Sequence, residues 1–154
     1  LPLLQYNSPV WSPHLIKDIN LIEKVQRRFT KRLLNMSNKC YNDRLLALNL
    51  ERLEALRMRT DVITAYKIIF GLTGVDCRPN DFFVFNNCSI ATRGHDYKLL
   101  LPICHCDTRK YCFSSRVARI WNNLPAESTD FSSLKRFITS IDHYNFESLC
   151  IGKQ

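Results

Sequence analysis

The helical spacing of apolar residues in two long stretches constrains the fold of this chain most strongly. In residues 15–35, apolar side chains recur at intervals of three, four and seven, which places them on one face of a helix. That predicted apolar face comprises Leu15, Ile19, Ile22, Phe29 and Leu33, with Gln26 in the vacant position. Residues 51–70 carry two apolar stripes, which indicates a helix buried between its neighbours. The two stretches together predict a mainly α fold.

Shorter patterns fill in the rest of the chain. Apolar spacing predicts further helices at 43–48, 114–123 and 132–144, the second of them with a serine N-cap. Turn-forming residues concentrate in 71–92, while 82–85 and 97–103 are candidate strands. We therefore expect a small helical bundle, an irregular segment with one or two short strands, and two further helices. The predicted division is a basic helical region at 1–70, a linker at 71–92 and a C-terminal region at 93–154.

The N-terminal residues 1–14 contain three prolines and are predicted to be a turn-rich lead-in rather than regular structure. The chain has two tryptophans, Trp11 and Trp121, which lie at junctions between predicted elements. Either ring could stack on a base, but large aromatic side chains at such junctions are more often packed in the core. We expect both tryptophans to be core residues.

Positive charge is concentrated in the first half of the chain. The formal net charge is +8, and residues 1–70 hold 12 lysines and arginines against 6 acidic residues. A one-sided positive field attracts polyanions. Because the chain has no apolar run of membrane-spanning length and no signal peptide, we expect no membrane association and a location in the nucleus or cytoplasm. The chain begins at Leu1 and not at Met, so we expect it to be a piece of a longer product or a truncated gene model.

The seven cysteines are odd in number and irregularly spaced, which predicts free thiols and not a disulfide framework. Cys104, His105, Cys106 and Cys112 are soft ligands within nine residues, but they lack a Cys-x-x-Cys pair, so we predict no metal site. A cysteine–histidine nucleophile formed with His95 or His105 is formally open. We predict no catalytic residue, no cofactor and no small-molecule substrate.

Several phrases of the sequence resemble one family. They are YNSPVWSP at 6–13, IEKVQRRFTKR at 22–32, TRGH at 92–95, FSSRV at 113–117, IWNNLP at 120–125 and SSLKRF at 132–137. In this order they resemble the segment after the palm in reverse transcriptases of LINE-type, non-LTR retrotransposons of the jockey and chicken-repeat types. The phrases run through nearly the whole chain.

The resemblance implies a role without chemistry. The first half would correspond to the thumb, which grips the template–primer duplex, and the second half to the C-terminal region of the enzyme. The catalytic aspartates belong to the palm, and this chain has no adjacent pair of aspartates with which to hold two metal ions. The chain would thus be a non-catalytic fragment of an RNA-directed DNA polymerase. Its partners would be RNA, DNA or their hybrid, and the palm. The zinc knuckle of some related elements does not match the cysteine spacing here.

The candidate nucleic-acid contacts lie mainly on the first long helix. They are Lys24, Arg27, Arg28, Lys31 and Arg32, with Arg57 and Arg59 as an extension. Like charges four residues apart disfavour a helix by a few tenths of a kcal/mol, and a bound polyanion would relieve that repulsion. A plain solvated face is the alternative interpretation. A weaker candidate patch in the second half consists of Arg93, His95, Lys98, Arg109, Lys110, Arg116 and Arg119.

A second hypothesis belongs to a different class of function. Separated from a palm, the buried-type helix at 51–70 would expose apolar surface, and the chain would then bind a protein partner or associate with itself without any role in nucleic-acid binding. Weak salt dependence of any observed binding would favour this second hypothesis.

Overall fold

The structure is a computed structural model that describes residues 2–74, 78–86 and 94–152, and its regular structure is helical. The helices are α1 (Pro2–Gln5), α2 (Ser8–Trp11), α3 (Ile16–Lys31), α4 (Tyr41–Ala47), α5 (Leu53–Ile69), α6 (Pro79–Phe82), α7 (Asp107–Tyr111), α8 (Phe113–Asn122) and α9 (Leu134–Asp142), followed by a 3-10 turn at Phe146–Leu149. The predicted mainly α fold is confirmed. No helix in the described part of the chain is both long enough and apolar enough to cross a membrane.

The long predicted helices are confirmed with small shifts at their ends, and the short elements are where the prediction was wrong. Helices α1 and α2 form in the lead-in, and α6 and α7 were also not predicted, because four or five residues are too few to show a helical period. The two candidate strands reduce to one antiparallel bridge between Phe85 and Leu99. The N-cap of α8 is Cys112 and not a serine.

Two compact units make up the molecule. Unit 1 comprises Leu1–Met58 and Asn145–Gln154, and unit 2 comprises Arg59–Tyr144, so the division falls within α5. The three-part division predicted from the sequence (1–70, 71–92 and 93–154) has different borders from these two units, and it stays a prediction.

Helix α3 in unit 1 buries a polar face. Ile19, Glu23, Gln26 and Thr30 follow a spacing of three and four residues, and all four side chains are buried. The predicted apolar face is therefore wrong as a buried surface: Leu15 and Phe29 are more than half exposed, whereas Ile22 and Leu33 are half-buried. Of that predicted set, only Ile19 is fully packed.

Hydrogen bonds explain why polar side chains are buried on α3. Glu23 accepts the backbone N–H of Leu53 at 3.1 Å, which satisfies one of the free donors at the start of α5, and it also accepts the hydroxyl of Tyr41. The Gln26 amide donates to the carbonyl of Glu51 at 2.9 Å. Arg44 donates to the Thr30 hydroxyl at 3.2 Å. Burial of a polar group costs little where its atoms have such partners, and in the described part of the chain Gln26 Oε1 is left without one.

The C-terminal segment of unit 1 is fixed to the start of α5. The two carboxylate oxygens of Glu54 accept the backbone N–H groups of Ile151 and Gly152 at 3.0 and 3.1 Å. Arg52 donates to the carbonyl of Gly152 at 3.4 Å. Gly152 is buried, and a Cβ atom at this position would lie 2.8 Å from Ile19 Cγ2, so only glycine fits without a shift.

Unit 2 has an apolar core that is rich in aromatic rings. Trp121 and Phe137 are fully buried, with ring centroids 5.6 Å apart, and the ring of Phe131 lies 5.4 Å from each of them. Tyr66 of α5 stacks on Phe137 at 4.4 Å and donates its hydroxyl to the Phe131 carbonyl. The prediction that Trp121 is a core residue is confirmed. The same prediction for Trp11 in unit 1 is wrong, because that side chain is 40% exposed.

The end of α8 holds the segment around the bridge by side chain to backbone bonds. The Asn122 amide donates to the Leu99 carbonyl and accepts the Leu99 N–H, both at 2.8 Å. Trp121 Nε1 donates to the Tyr97 carbonyl at 2.7 Å, and His95 Nε2 bonds to the Trp121 carbonyl at 2.8 Å. The backbone groups of Tyr97 and Leu99 thus form their hydrogen bonds with side chains of the IWNNLP phrase and not with a neighbouring strand.

Helix α5 is buried through most of its length, as its two apolar stripes predict. It ends where glycine permits a left-handed backbone. Gly71 has φ +67°, and the N–H groups of Gly71 and Leu72 bond back to the carbonyls of Ile68 and Lys67. Helix α5 thus ends one residue before the predicted limit at residue 70.

Candidate nucleic-acid interface

Helix α3 carries a row of exposed cations. Lys24, Arg28 and Lys31 are exposed, and Arg32 is exposed directly after the helix ends. Lys17, in the first turn of α3, lies on the same side as Lys24 because the seven residues between them make nearly two turns. Lys17 was not among the predicted contacts. We call these five residues the basic face; from Lys17 to Lys31 it extends over about 21 Å of helix.

The acidic residues of α3 do not neutralise the basic face. Glu23 is 2% exposed, and both of its oxygens accept hydrogen bonds within unit 1. Asp18 lies half-buried in the first turn, where a carboxylate is favoured by the helix dipole. Within the described residues, none of the five cations has a carboxylate at ion-pair distance. The basic face is therefore a uniformly positive surface.

Three of the predicted contacts have other environments. Arg27 is half-buried, and its guanidinium lies 4.9 Å from the centre of the Tyr41 ring, a cation–π distance. Arg57 is 2% exposed and lies 6.0 Å from the Trp11 ring, so its charge is withdrawn from the surface. Arg59 belongs to unit 2, where it pairs with Asp142 at 3.5 Å. The structure thus brings together Lys24, Arg28, Lys31 and Arg32 from the predicted set.

Tyr41 shows how Arg27 is held within unit 1. Burial, the hydrogen bond to Glu23 and the negative charge of Glu23 raise the pKa of the Tyr41 hydroxyl above its ordinary value, although Arg27 and Arg52 oppose the shift. The hydroxyl therefore stays protonated and donates to Glu23. Arg44 also lies over the same ring, at 5.5 Å. The two guanidinium groups near Tyr41 have a structural role within unit 1.

An exposed apolar strip runs beside the basic face. Leu21, Val25 and Phe29 follow each other at intervals of four residues and are 64%, 51% and 56% exposed. The strip lies next to Arg28 and Arg32 on the helix surface. The exposed part of α3 is therefore both cationic and apolar, whereas its buried part is polar.

The weaker candidate patch in the second half does not form one exposed set. Arg116 donates to both oxygens of the buried Asp61, at 2.8 and 3.2 Å. His95 is buried, and Arg93 lies outside the described residues. Burial lowers the pKa of His95, and the charge of Lys98 acts in the same direction. The Trp121 carbonyl and the charge of Asp96 raise the pKa by less, so the ring is neutral near pH 7.

The described residues include no group of three or more His, Cys, Asp or Glu side chains that could hold a metal ion. Cys40, Cys104, Cys106, Cys112 and Cys150 are free thiols, as predicted for these five, while Cys77 and Cys88 lie outside the described residues.

The phrases behind the resemblance have identifiable places in the two units. In unit 1, the VQRRFTK run forms the second half of α3 and includes Arg28 and Lys31 of the basic face. In unit 2, His95 of the TRGH phrase bonds to Trp121 of the IWNNLP phrase, while Thr92 and Arg93 lie outside the described residues.

No protein-family model, characterised protein or solved structure matches this chain.

Proposed function

We propose that this chain is the C-terminal, non-catalytic part of a LINE-type reverse transcriptase, and that the basic face of α3 binds the phosphate backbone of RNA, DNA or their hybrid. The resemblance described above is the basis for the family. The observation that carries the binding role is the row of exposed cations on α3 whose neighbouring carboxylates are turned inward or half-buried.

Counterion release would drive the binding of nucleic acid to the basic face. A nucleic acid carries condensed cations along its phosphates, and each contact with a lysine or arginine releases some of them. The basic face presents Lys24, Arg28 and Lys31 on successive turns of one rigid helix, so several phosphates can be contacted at once. Such contacts carry no base specificity. The proposal therefore predicts binding that is strong at low salt and independent of sequence.

The alternative explanation for these cations is that they only stabilise helix α3. Arg28 and Lys31 lie in the last turn of α3, where cations favour the helix dipole by about 0.3–1 kcal/mol. That effect does not account for Lys17 and Lys24, which lie away from the last turn. It also does not account for like charges placed four residues apart, such as Lys24 and Arg28, which oppose helix formation.

Fluorescence anisotropy of a labelled RNA–DNA hybrid tests the binding role. The wild-type chain is compared with a variant in which Lys24, Arg28, Lys31 and Arg32 are changed to Ala, at about 50 mM and about 200 mM salt. We expect the variant to bind at least about tenfold more weakly, with a salt slope reduced by about 0.7–0.9 for each phosphate that the variant no longer neutralises.

A matched control removes the same amount of charge from unit 2. In that variant Arg109, Arg119, Lys135 and Arg136, all exposed, are changed to Ala. We expect its affinity to stay within about twofold of wild type at equal salt. Equal weakening of both variants would show that only net charge matters, and no binding by the folded wild-type chain at low salt would refute the proposal.

The apolar strip favours a second candidate function, protein binding or self-association. The surface differs from the one that the sequence suggested: helix α5 is largely buried, and the exposed apolar side chains lie on α3. If Leu21, Val25 and Phe29 form an interface, changing all three to Ser removes self-association measured by light scattering and leaves the salt slope of hybrid binding unchanged. A chain that is monomeric at high concentration before and after the change would exclude self-association.

In the parent enzyme the palm would supply the catalytic carboxylates and would be a partner of this chain. The proposed family also places the chain inside the cell, in the nucleus or the cytoplasm. No cofactor or small-molecule substrate is needed for the proposed role.

A further inference from the structure

Two cysteines of unit 2 share one serine hydroxyl. Cys104 Sγ lies 3.7 Å from Ser115 Oγ, and Cys112 Sγ lies 3.4 Å from the same oxygen. The two sulfur atoms are therefore within about 7 Å of each other. Both thiols are partly exposed, whereas Ser115 is buried. The two cysteines are thus partly open to solvent, whereas the serine that both sulfur atoms contact is not.

The surroundings of Cys112 favour a thiolate. Cys112 lies between two helices, as the C-cap of the five-residue α7 and the N-cap of the ten-residue α8, and the longer helix has the positive end of its dipole there. The hydroxyls of Ser114 and Ser115 lie 3.4 Å from its sulfur. Burial raises the pKa of the Cys112 thiol, but the hydrogen bonds from Ser114 and Ser115, together with the charge of Arg109, outweigh burial and lower the pKa to about 7.

The surroundings of Cys104 favour movement toward Cys112. Cys104 lies in the segment 100–106, which has neither helix nor strand, and α7 separates it from Cys112. A disulfide needs the sulfur atoms to approach to about 2.05 Å, so they must come closer by at most about 5 Å. No helix or strand has to break for the sulfur atoms to approach, because residues 100–106 belong to neither.

We propose that Cys112 and Cys104 form a redox modification site, in which a hydroperoxide oxidises Cys112 and Cys104 then closes a disulfide with it. The site is independent of nucleic-acid binding by α3. The proposal rests on the shared Ser115 hydroxyl, the position of Cys112 at the N-terminus of α8 and the irregular segment that carries Cys104.

The chemistry balances in two steps. The Cys112 thiol gives its proton to solvent, and the thiolate attacks the terminal oxygen of the hydroperoxide. The O–O bond breaks and the leaving oxygen takes up a proton from solvent, so the products are a sulfenic acid on Cys112 and the alcohol, or water when the oxidant is hydrogen peroxide. The Cys104 sulfur then attacks the Cys112 sulfur, and the S–O bond breaks. The leaving hydroxide takes the proton of the Cys104 thiol and departs as water. Two electrons pass from the two thiols to the peroxide.

Peptide mapping by mass spectrometry tests the pairing. The reduced full chain is treated with one equivalent of hydrogen peroxide and digested with trypsin, which separates Cys104 in peptide 99–109 from Cys112 in peptide 111–116. We expect these two peptides to be cross-linked. Because Cys106 lies in the same peptide as Cys104, the variants Cys104→Ser and Cys106→Ser are run beside the wild type. The cross-link should persist in Cys106→Ser and vanish in Cys104→Ser, which should instead show a sulfenic acid on Cys112 that a 1,3-dicarbonyl probe traps.

Cys40 is the matched control for reactivity. It is the N-cap of α4 and accepts the Asp43 N–H, but no serine hydroxyl bonds to it within the described residues. We expect Cys112 to be alkylated at pH 7 roughly fivefold faster than Cys40, because the hydroxyls of Ser114 and Ser115 stabilise the Cys112 thiolate. Changing both Ser114 and Ser115 to Ala should remove most of this difference while the circular dichroism spectrum is unchanged. Equal rates at Cys112 and Cys40, or a cross-link that persists in Cys104→Ser, would overturn the proposal.

Discussion

The two units of this molecule have different interiors. Unit 1 buries Glu23, Gln26 and Thr30 in a network of hydrogen bonds, whereas unit 2 buries Trp121, Phe137 and their aromatic neighbours. A polar interior depends on each bond being made, because a buried group without a partner costs about 1–3 kcal/mol. An apolar core depends on volume, because its main cost on mutation is the cavity. The units should therefore respond differently to substitution.

The same difference has a consequence for function. In unit 1 the polar face of α3 is turned inward, so the cations and apolar side chains of that helix are left on the surface. In unit 2 the aromatic side chains are packed together, and Arg116 is tied to the buried Asp61. The proposed nucleic-acid interface lies in the unit with the polar interior for this reason.

The largest expected effect comes from the same substitution at the two tryptophans. Trp121→Ala should lower the free energy of unfolding by about 3–5 kcal/mol, because it leaves a large cavity and leaves the Tyr97 carbonyl without its donor. Trp11→Ala should cost less than about 1 kcal/mol, because the ring is substantially exposed. Denaturant unfolding followed by circular dichroism measures both. Losses of equal size would contradict the assignment of the apolar core to unit 2.

Removal of Glu23 should have the next largest effect. Glu23→Ala leaves the Leu53 N–H and the Tyr41 hydroxyl without acceptors, and we expect a loss of about 2–4 kcal/mol. Glu23→Gln keeps an acceptor oxygen and should cost less. The exposed Glu127 is the control, and its change to Ala should stay within about 0.5 kcal/mol. If Glu23→Ala were as mild as the control, the polar interior would not be stabilising.

Gly152→Ala probes the close packing of the C-terminal segment in unit 1. The new Cβ would lie 2.8 Å from Ile19 Cγ2 and 3.1 Å from Glu54 Oε2, so the overpacking should cost about 1–3 kcal/mol. The neighbouring Ile151 is exposed, and its change to Ala should cost less. Thermal unfolding of both variants makes the comparison. A stable Gly152→Ala chain would show that the segment is free to move away.

The smallest expected effect is a pH dependence of unit 2. Burial lowers the pKa of His95 in the folded chain below its ordinary value of 6.5, so the unfolded chain takes up a proton first as the pH falls. Stability is then fully present above pH 6.5 and is lost as the pH falls through the lower, folded-state pKa. His95→Gln keeps a donor toward the Trp121 carbonyl but does not titrate. Melting temperatures between pH 7 and pH 5 should fall less in this variant, and parallel curves would contradict the account.

Most helices could be predicted from the sequence, but their buried faces could not always be. Apolar spacing correctly indicates α5, α8 and α9, because those helices bury apolar side chains. It fails for α3, where Glu23 and Thr30 are buried because Leu53, Tyr41 and Arg44 supply hydrogen bonds. Those partners lie 14 to 30 residues away along the chain, so the local sequence pattern of α3 cannot predict them.

The candidate sites divide in the same way. Lys24, Arg28, Lys31 and Arg32 were found because their cluster is visible as a local excess of charge. Arg57 was grouped with them only by residue type, since nothing in the sequence shows that it is buried against Trp11. Cys104 and Cys112 were visible as soft ligands, but their common contact with Ser115 depends on the fold of residues 100–115.

Lysine footprinting of the wild-type chain tests the proposed binding role most directly. The chain is acylated with a lysine-specific reagent in the presence and absence of an RNA–DNA hybrid, and each lysine is quantified by mass spectrometry. We expect the hybrid to protect Lys17, Lys24 and Lys31, which lie seven residues apart on the basic face, and to leave the exposed Lys135 of unit 2 reactive. Protection at Lys135 with none on α3 would show that nucleic acid binds elsewhere and that the basic face is only a solvated helix surface.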